Sequence, residues 1–151
     1  MAAPKYEYDL AYHFENQGFG FFNSPTPTIY CVPEIAATPT AVGTEVASIF
    51  VVPYAGAKPK DWFATNAGNA KEWQGRVQVR YRAPPRTFTA GLAAVRALLR
   101  ASHLATVTES ENATIYRKVF ALQSDPVYHG PNGVEQLLWT FNVEMWAHEA
   151  P

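Results

Sequence analysis

A chain of 151 residues fits one domain, and a domain of this size buries about 70% of the surface its unfolded form exposes, enough for a core without metals or disulfides. Twelve basic residues stand against 13 acidic ones, so there is no basic surplus to neutralise duplex phosphates, and direct sequence-specific nucleic-acid binding is not expected. Charged residues make up 17% against a typical ~25%, while aromatic residues reach 14%, a balance that leaves apolar surface to meet another chain.

The first residues, Met1 to Tyr8, show no basic-then-apolar signal pattern, and the apolar runs fall short of the ~20 residues that span a bilayer. Synthesis in the cytoplasm and no membrane partner are therefore expected. From Tyr6 to Gln17, Tyr6, Leu10, His13 or Phe14 and Gln17 recur at helical spacing, with Glu7, Asp9 and Glu15 between them. Gly18 follows where a helix ends in a left-handed residue. Gly18-Phe19-Gly20 is not a dinucleotide loop, because it closes a helix and Asn23 stands at the third glycine position.

Thr28 to Val32 is a short β-type run between Pro27 and Pro33. It contains Cys31, which has no disulfide partner in the chain and is expected as a small buried filler. Residues 33–44 read as a loop. Glu45 to Tyr54 is strand material in which Pro53 should end the strand or stand where no ladder donor is needed. Ala55 to Gly75, with four glycine or proline interruptions and several lysines, reads as an extended loop or hairpin arm. Trp62, Phe63 and Trp73 are out of place in a solvated loop. They either fold back on the core or contact a neighbouring subunit.

Arg76 to Arg82 alternates cleanly: Val77, Val79 and Tyr81 point one way, Gln78, Arg80 and Arg82 the other. Pro84-Pro85 marks a turn, and Thr87 is placed to cap a helix whose apolar stripe runs Phe88, Leu92, Val95 and Leu98 or Leu99. Thr114 to Leu122 and Glu135 to Trp146 read as the last two strands. Ser124-Asp125-Pro126 and His129-Gly130-Pro131-Asn132-Gly133 between them read as turns, the first capped by Asp125. The pattern predicts an α/β (α+β) domain: a small, mixed, mainly antiparallel sheet, two helices packed on one face, and the 55–75 excursion.

Candidate chemistry is sparse. No nucleophile elbow, phosphate loop or His-Glu-x-x-His pair occurs, and His13, His103, His129 and His148 lack ligand spacing. Ser124, Asp125 and His129 are close in sequence but sit in turn-forming residues. Neither an enzyme nor a metal or other cofactor is expected. Arg76, Arg80 and Arg82 have three readings: a solvated strand face, a bidentate grip on phosphates or carboxylates, or pairing with Glu45, Glu135 or Glu144 of an adjacent subunit.

The order of features from Tyr6 to Ala147 resembles the tail-terminator (minor tail or tail-completion) proteins of long-tailed bacteriophages. The resemblance is carried by the strand Val77-Gln-Val-Arg-Tyr-Arg82, a short gap, the Ala/Leu-rich helix from Thr89 to Ser102, and the strand Ile115 to Leu122. A Ser124-Asp125-Pro126-Val127 turn with Gly130 follows, and then a last strand ending Phe141-Asn142-Val143-Glu144. The opening helix closed by glycine and the run Ile29 to Pro33 also fit. The 55–75 segment is longer than a minimal member has.

The resemblance implies a single tail-terminator-like domain over 1–151 that forms a ring, usually of six copies, on the head-proximal end of the tail tube in the virion. Such a ring stops tube polymerisation and joins the tail to the head connector, so its partners are itself, the tail tube protein and a head–tail connector protein. Subunit or tube contacts are then expected at Trp62, Phe63, Trp73, Arg76, Arg80 and Arg82. Three other readings remain open: a head-completion or connector protein, a small-molecule-binding α/β domain or minor enzyme, and a cytoplasmic adaptor without symmetry.

Overall fold

The computed structural model describes residues 4–31, 46–56, 60–62, 70–108 and 114–148, with backbone alone at 54–56, 60–62, 70–72 and 148. Helix α1 spans Tyr6–Asn16. Its end is closed as the sequence predicts: Gly18 has φ +84°, its N–H donates to Glu15 O, and the Phe19 N–H donates back to Phe14 O. These two bonds form a Schellman cap, satisfying carbonyls the helix leaves unpaired. The Glu15 carboxylate then accepts the backbone N–H groups of Phe22 and Asn23, tying the following loop to the helix.

The chain next forms β1 (Ile29–Tyr30), shorter than the expected Thr28–Val32, with Val32 outside the described residues. Cys31 is half-buried, against the expectation of full burial, and its Sγ lies 3.3 Å from Glu7 O. Strand β2 (Ser48–Gly56) runs parallel to β1 and antiparallel to β4 (Ala70–Ala83). Pro53 does not end β2. The ladder shifts register between Pro53 and Ala55 and then continues to Gly56 opposite Gly75. A register shift is a usual way for a strand to carry proline. The predicted loop 33–44 lies outside the described residues.

Of the expected excursion from Ala55 to Gly75, residues 55–56, 60–62 and 70–75 are strand, and the others lie outside the described residues. Beyond Gly56, β3 (Lys60–Trp62) pairs with the start of β4, Lys60 opposite Glu72 and Trp62 opposite Ala70. Strands β2 and β3 are thus successive pieces of one arm of a hairpin whose other arm is β4. Gly56 and Gly75 stand opposite each other in the ladder, and Lys60 and Lys71 also take strand positions. Helix α2 (Phe88–Ser102) follows, then β5 (Ile115–Ala121), β6 (Val127–Pro131) and β7 (Leu137–His148). Strand β6 corrects the reading of His129 to Gly133 as turn alone. Val127 pairs with Thr140 and Tyr128 with Trp139. The ladder bulges at His129, where Gly130 takes φ +88°. Pro131 is tolerated as the last residue of an edge strand.

The seven strands form one sheet in the order β1-β2-β4-β7-β5, with β3 on β4 and β6 on β7. Strands β4 and β7 lie at its centre in unbroken register from Glu72↔His148 to Ala83↔Leu137. Both helices pack on one face. There Ile49, Val51, Val77, Val79, Tyr81, Trp139, Phe141, Val143 and Met145 from the sheet bury against Leu10 and Phe14 of α1 and Val95, Leu98 and Leu99 of α2. Each large apolar side chain so buried contributes roughly 1.5–3 kcal/mol.

Two glycines set the helix-to-sheet distance. A Cβ at Gly91 would lie 2.9 Å from both Ala83 Cβ and the Trp139 ring, and one at Gly75 would overlap the Tyr6 ring. This corrects the predicted stripe of α2. Its buried line runs Gly91, Val95, Leu98, Leu99 and Ser102, whereas Phe88 is 45% exposed and packs edge-on against Tyr128. Thr87 precedes α2 but does not cap it; its hydroxyl donates to Pro84 O. The helices are joined by His13, whose Nε2 lies 3.2 Å from Ala101 O.

Candidate interaction face

The alternation in β4 and β7 leaves a second sheet face that neither helix reaches. Ser48, Phe50 and Val52 of β2 share it with Gln74, Arg76, Gln78, Arg80 and Arg82 of β4, because Ser48 stands opposite Arg82 and Phe50 opposite Arg80. Leu138, Thr140, Asn142, Glu144 and Trp146 of β7 complete it, since Arg82 faces Leu138 and Arg76 faces Glu144. This face is neither a plain solvated surface nor a second core. Several of its polar side chains are bonded to one another, across the strands and along them.

In the row at Glu144 a nearly buried carboxylate is held by hydrogen-bond donors. Arg76 Nε donates to Glu144 Oε2 at 2.7 Å and Trp146 Nε1 to Oε1 at 2.8 Å. Burial pushes the Glu144 carboxyl up, but hydrogen bonds from Trp146, Arg76 and Gln74, with the Arg76 charge, bring it below the ordinary carboxylate range. In the next rows Arg80 Nε donates to Gln78 Oε1 at 2.7 Å, and the Gln78 amide reaches Asn142 Oδ1 at 3.4 Å. At the far end Arg82 Nε reaches Ser48 Oγ at 3.3 Å, and its guanidinium lies 4.9 Å from the centre of the Phe50 ring. Phe50 is itself stacked on Tyr30 at 5.1 Å and is fully buried on this face. Beside this row, His129 Nε2 sits 2.6 Å from Thr140 Oγ1.

The structure divides the residues singled out from sequence. Arg76, Arg80 and Arg82 all lie on this face. Trp73 does not: it stands opposite Ala147 in the same alternation as Gly75, on the helix-bearing side, and its buried indole N–H has no partner among the described residues. Trp62 lies in β3, with its side chain outside the description, and Phe63 lies outside the described residues. Glu144, one of three acids considered for a neighbour's arginines, is bonded to Arg76 of its own chain. Glu45 lies outside the described residues, and Glu135 is exposed.

The residues sequence reasoning missed on this face are Ser48, Phe50, Tyr30, Gln74 and Trp146. The signal that could have found them is cross-strand register, which a single strand pattern does not supply.

Elsewhere the groups considered for chemistry are apart. Asp125 does not cap its turn; its carboxylate takes the Arg96 guanidinium bidentately at 2.8 and 3.0 Å, which holds the acid below its usual range. His129 is bonded to Thr140, away from Ser124 and Asp125. Among the described residues no cluster of His, Cys, Asp and Glu has metal-binding geometry. No helix among them is long and apolar enough to cross a membrane. An open groove of about 460 Å³ runs between α2 and residues 121–124, lined by Leu99, Arg100, His103 and Leu122. Its amide, Gln123, accepts the Asn142 backbone N–H and is not left for a ligand.

No family model matches the sequence, and no curated protein matches it. Among solved structures, a chain of the virion of a native gene transfer agent particle is 12% identical, covers 81% of this chain and 79% of its own, and superposes with a TM-score of 0.45. A likeness of that degree decides nothing about what the chain does.

Proposed function

We propose that the protein is a structural component of a phage virion: a ring-forming tail terminator that caps the head-proximal end of the tail tube, stops its polymerisation and joins the tail to the head connector. The observation that carries this reading is the uncovered sheet face, where polar side chains are fixed by mutual bonds and no reacting centre is assembled among the described residues. A face so ordered before any partner arrives loses little conformational freedom on docking. Edge strands β5 and β6, with Val127 and Tyr128 exposed, supply a second surface of the kind that closed rings use. The order of helices and strands agrees with what the sequence resemblance implies. In this reading the partners are other copies of the chain, the tail tube protein and the connector, and no catalytic step is assigned.

The test is genetic and structural together. A phage carrying a stop codon in this gene should make tails of uncontrolled length that do not join heads, and a tagged copy should label the head-proximal tail end in electron micrographs. Tails of normal length, with the label on the portal side, would favour a head-completion or connector protein instead. Particles that lack the protein altogether would end both readings.

A further inference from the structure

We propose that the Arg80/Arg82 end of the open face receives the β6–β7 hairpin tip of a second copy, with Glu135 as the residue gripped; this rests on the self-assembling reading above. The two arginines differ from the others that the structure ties down. Arg76 and Arg96 each hold a carboxylate, Glu144 and Asp125. Arg80 and Arg82 have only neutral partners: the Gln78 carbonyl, the Ser48 hydroxyl and the Phe50 ring. In both, the bond is made by Nε, so the terminal nitrogens remain without an acceptor among the described residues. Alternate positions on one strand set the two about 7 Å apart on the same face. Two half-buried, tethered guanidinium groups without their own acid form a ready grip for a carboxylate.

The complement is on the same chain. The tip between β6 and β7 is held by Asn132, whose Oδ1 accepts the N–H groups of Val134 and Gln136 and whose Nδ2 donates to Gln136 Oε1. The Glu135 N–H donates to Asn132 O, and Glu135 takes φ +62°. The tip therefore presents Val134, 53% exposed, beside an exposed acid with no side-chain partner among the described residues. Asp125 and Glu144, by contrast, are engaged in ion pairs, and Glu15 with backbone amides. Against Arg80 and Arg82, Glu135 finds its missing charge, and Val134 can cover the half-buried Leu138 beside Arg82.

Tip and face are different surfaces of one chain, so their contact is heterologous and repeats around a ring. Duplex phosphate is the weaker occupant, because two arginines on a chain of net charge −1 neutralise too few phosphates.

Sedimentation of the full chain at about 50 mM and about 500 mM salt tests the contact. Wild type should associate, and less so at high salt. Arg80→Glu/Arg82→Glu should weaken association about tenfold or more, and adding Glu135→Arg should recover most of that loss. Arg80→Gln/Arg82→Gln, checked by circular dichroism, keeps the comparison valid if the acidic pair fails to fold. It should weaken association without lowering the melting temperature. If folded arginine variants associate as wild type does, or the folded charge-swapped triple variant stays dissociated, the contact lies elsewhere and the ring reading stands. A wild type that stays monomeric up to millimolar concentration overturns the contact, and the ring reading is then decided by the label on the head-proximal tail end. Loss of duplex-DNA retention by the arginine variants, with association unchanged, overturns the contact in favour of phosphate.

Discussion

Glu144 is nearly buried, yet its carboxyl stays ionised below the ordinary carboxylate range because Trp146, Arg76 and Gln74 donate to it. A depressed folded value means the ionised form favours the fold. The stabilisation is complete above the unfolded value near 4.5 and is lost as pH falls through the folded value. Glu144→Gln should therefore lower stability at pH 7 by about 1–2 kcal/mol, discounted for the partly exposed Arg76. The gap to wild type should close as denaturant melts are repeated below pH 4.5. A gap independent of pH would mean that packing, not charge, is lost. Gly91 makes a different point at the same scale. Alanine favours a helix over glycine by about 1 kcal/mol, but its Cβ would lie 2.9 Å from the Trp139 ring and from Ala83. Neither neighbour is a flexible chain end, so overpacking wins. Gly91→Ala should cost a net 1–2 kcal/mol or so in a urea melt.

Helix α1 is held to the sheet by more than its apolar stripe. Asp9, fully buried, accepts the Tyr116 hydroxyl of β5, and Tyr116 also meets Tyr6 edge-on at 6.2 Å. Burial first, and then the bond to Asp9, pushes the Tyr116 hydroxyl well above its usual range, so it remains a donor at any ordinary pH. Tyr116→Phe keeps the ring contact and removes the donor. It should cost about 1–3 kcal/mol and loosen α1 before the rest of the chain, seen as faster amide exchange in residues 6–16. Asp9 stood in the sequence among the polar residues of an amphipathic helix, and nothing local marked it as buried. Its partner is 107 residues away.

Strand β7 and the part of β4 from Arg76 onward were legible for the opposite reason. With one face on a core, period-two alternation is written into each strand alone, so Val77, Val79 and Tyr81 declared their side without reference to any neighbour. Strand β6 was not legible, because Gly130, Pro131 and Asn132 are turn formers whose strand role depends on pairing with β7. The same limit applied to the candidate face. The direction of Arg76, Arg80 and Arg82 followed from alternation, but only register showed Arg76 committed to Glu144 and the other two without an acid.

At the scale of the whole molecule, the core and the outlying hairpin are separable. Rows from Gly75 to Ala83 carry the buried side chains that meet both helices, whereas the pairing of β3 with β4 lies beyond them, at Ala70 to Glu72. Residues 63–69 join Trp62 to its partner Ala70. Replacing them with Asn-Gly suits a two-residue hairpin connection and shortens the closed loop, a change that favours folding by about 1 kcal/mol. The melting temperature should therefore hold within about 4 °C of the parent or rise. Tail capping in a complementation assay should fall nonetheless if this arm, with Trp62 at its end, reaches a neighbouring subunit or the tube. Capping at the parental level by the shortened chain would remove the arm from the interface and leave the open face and edge strands as the contacts. A collapse of the melting temperature would instead show that residues 63–69 belong to the folded core, and that fold and assembly cannot be divided along this line.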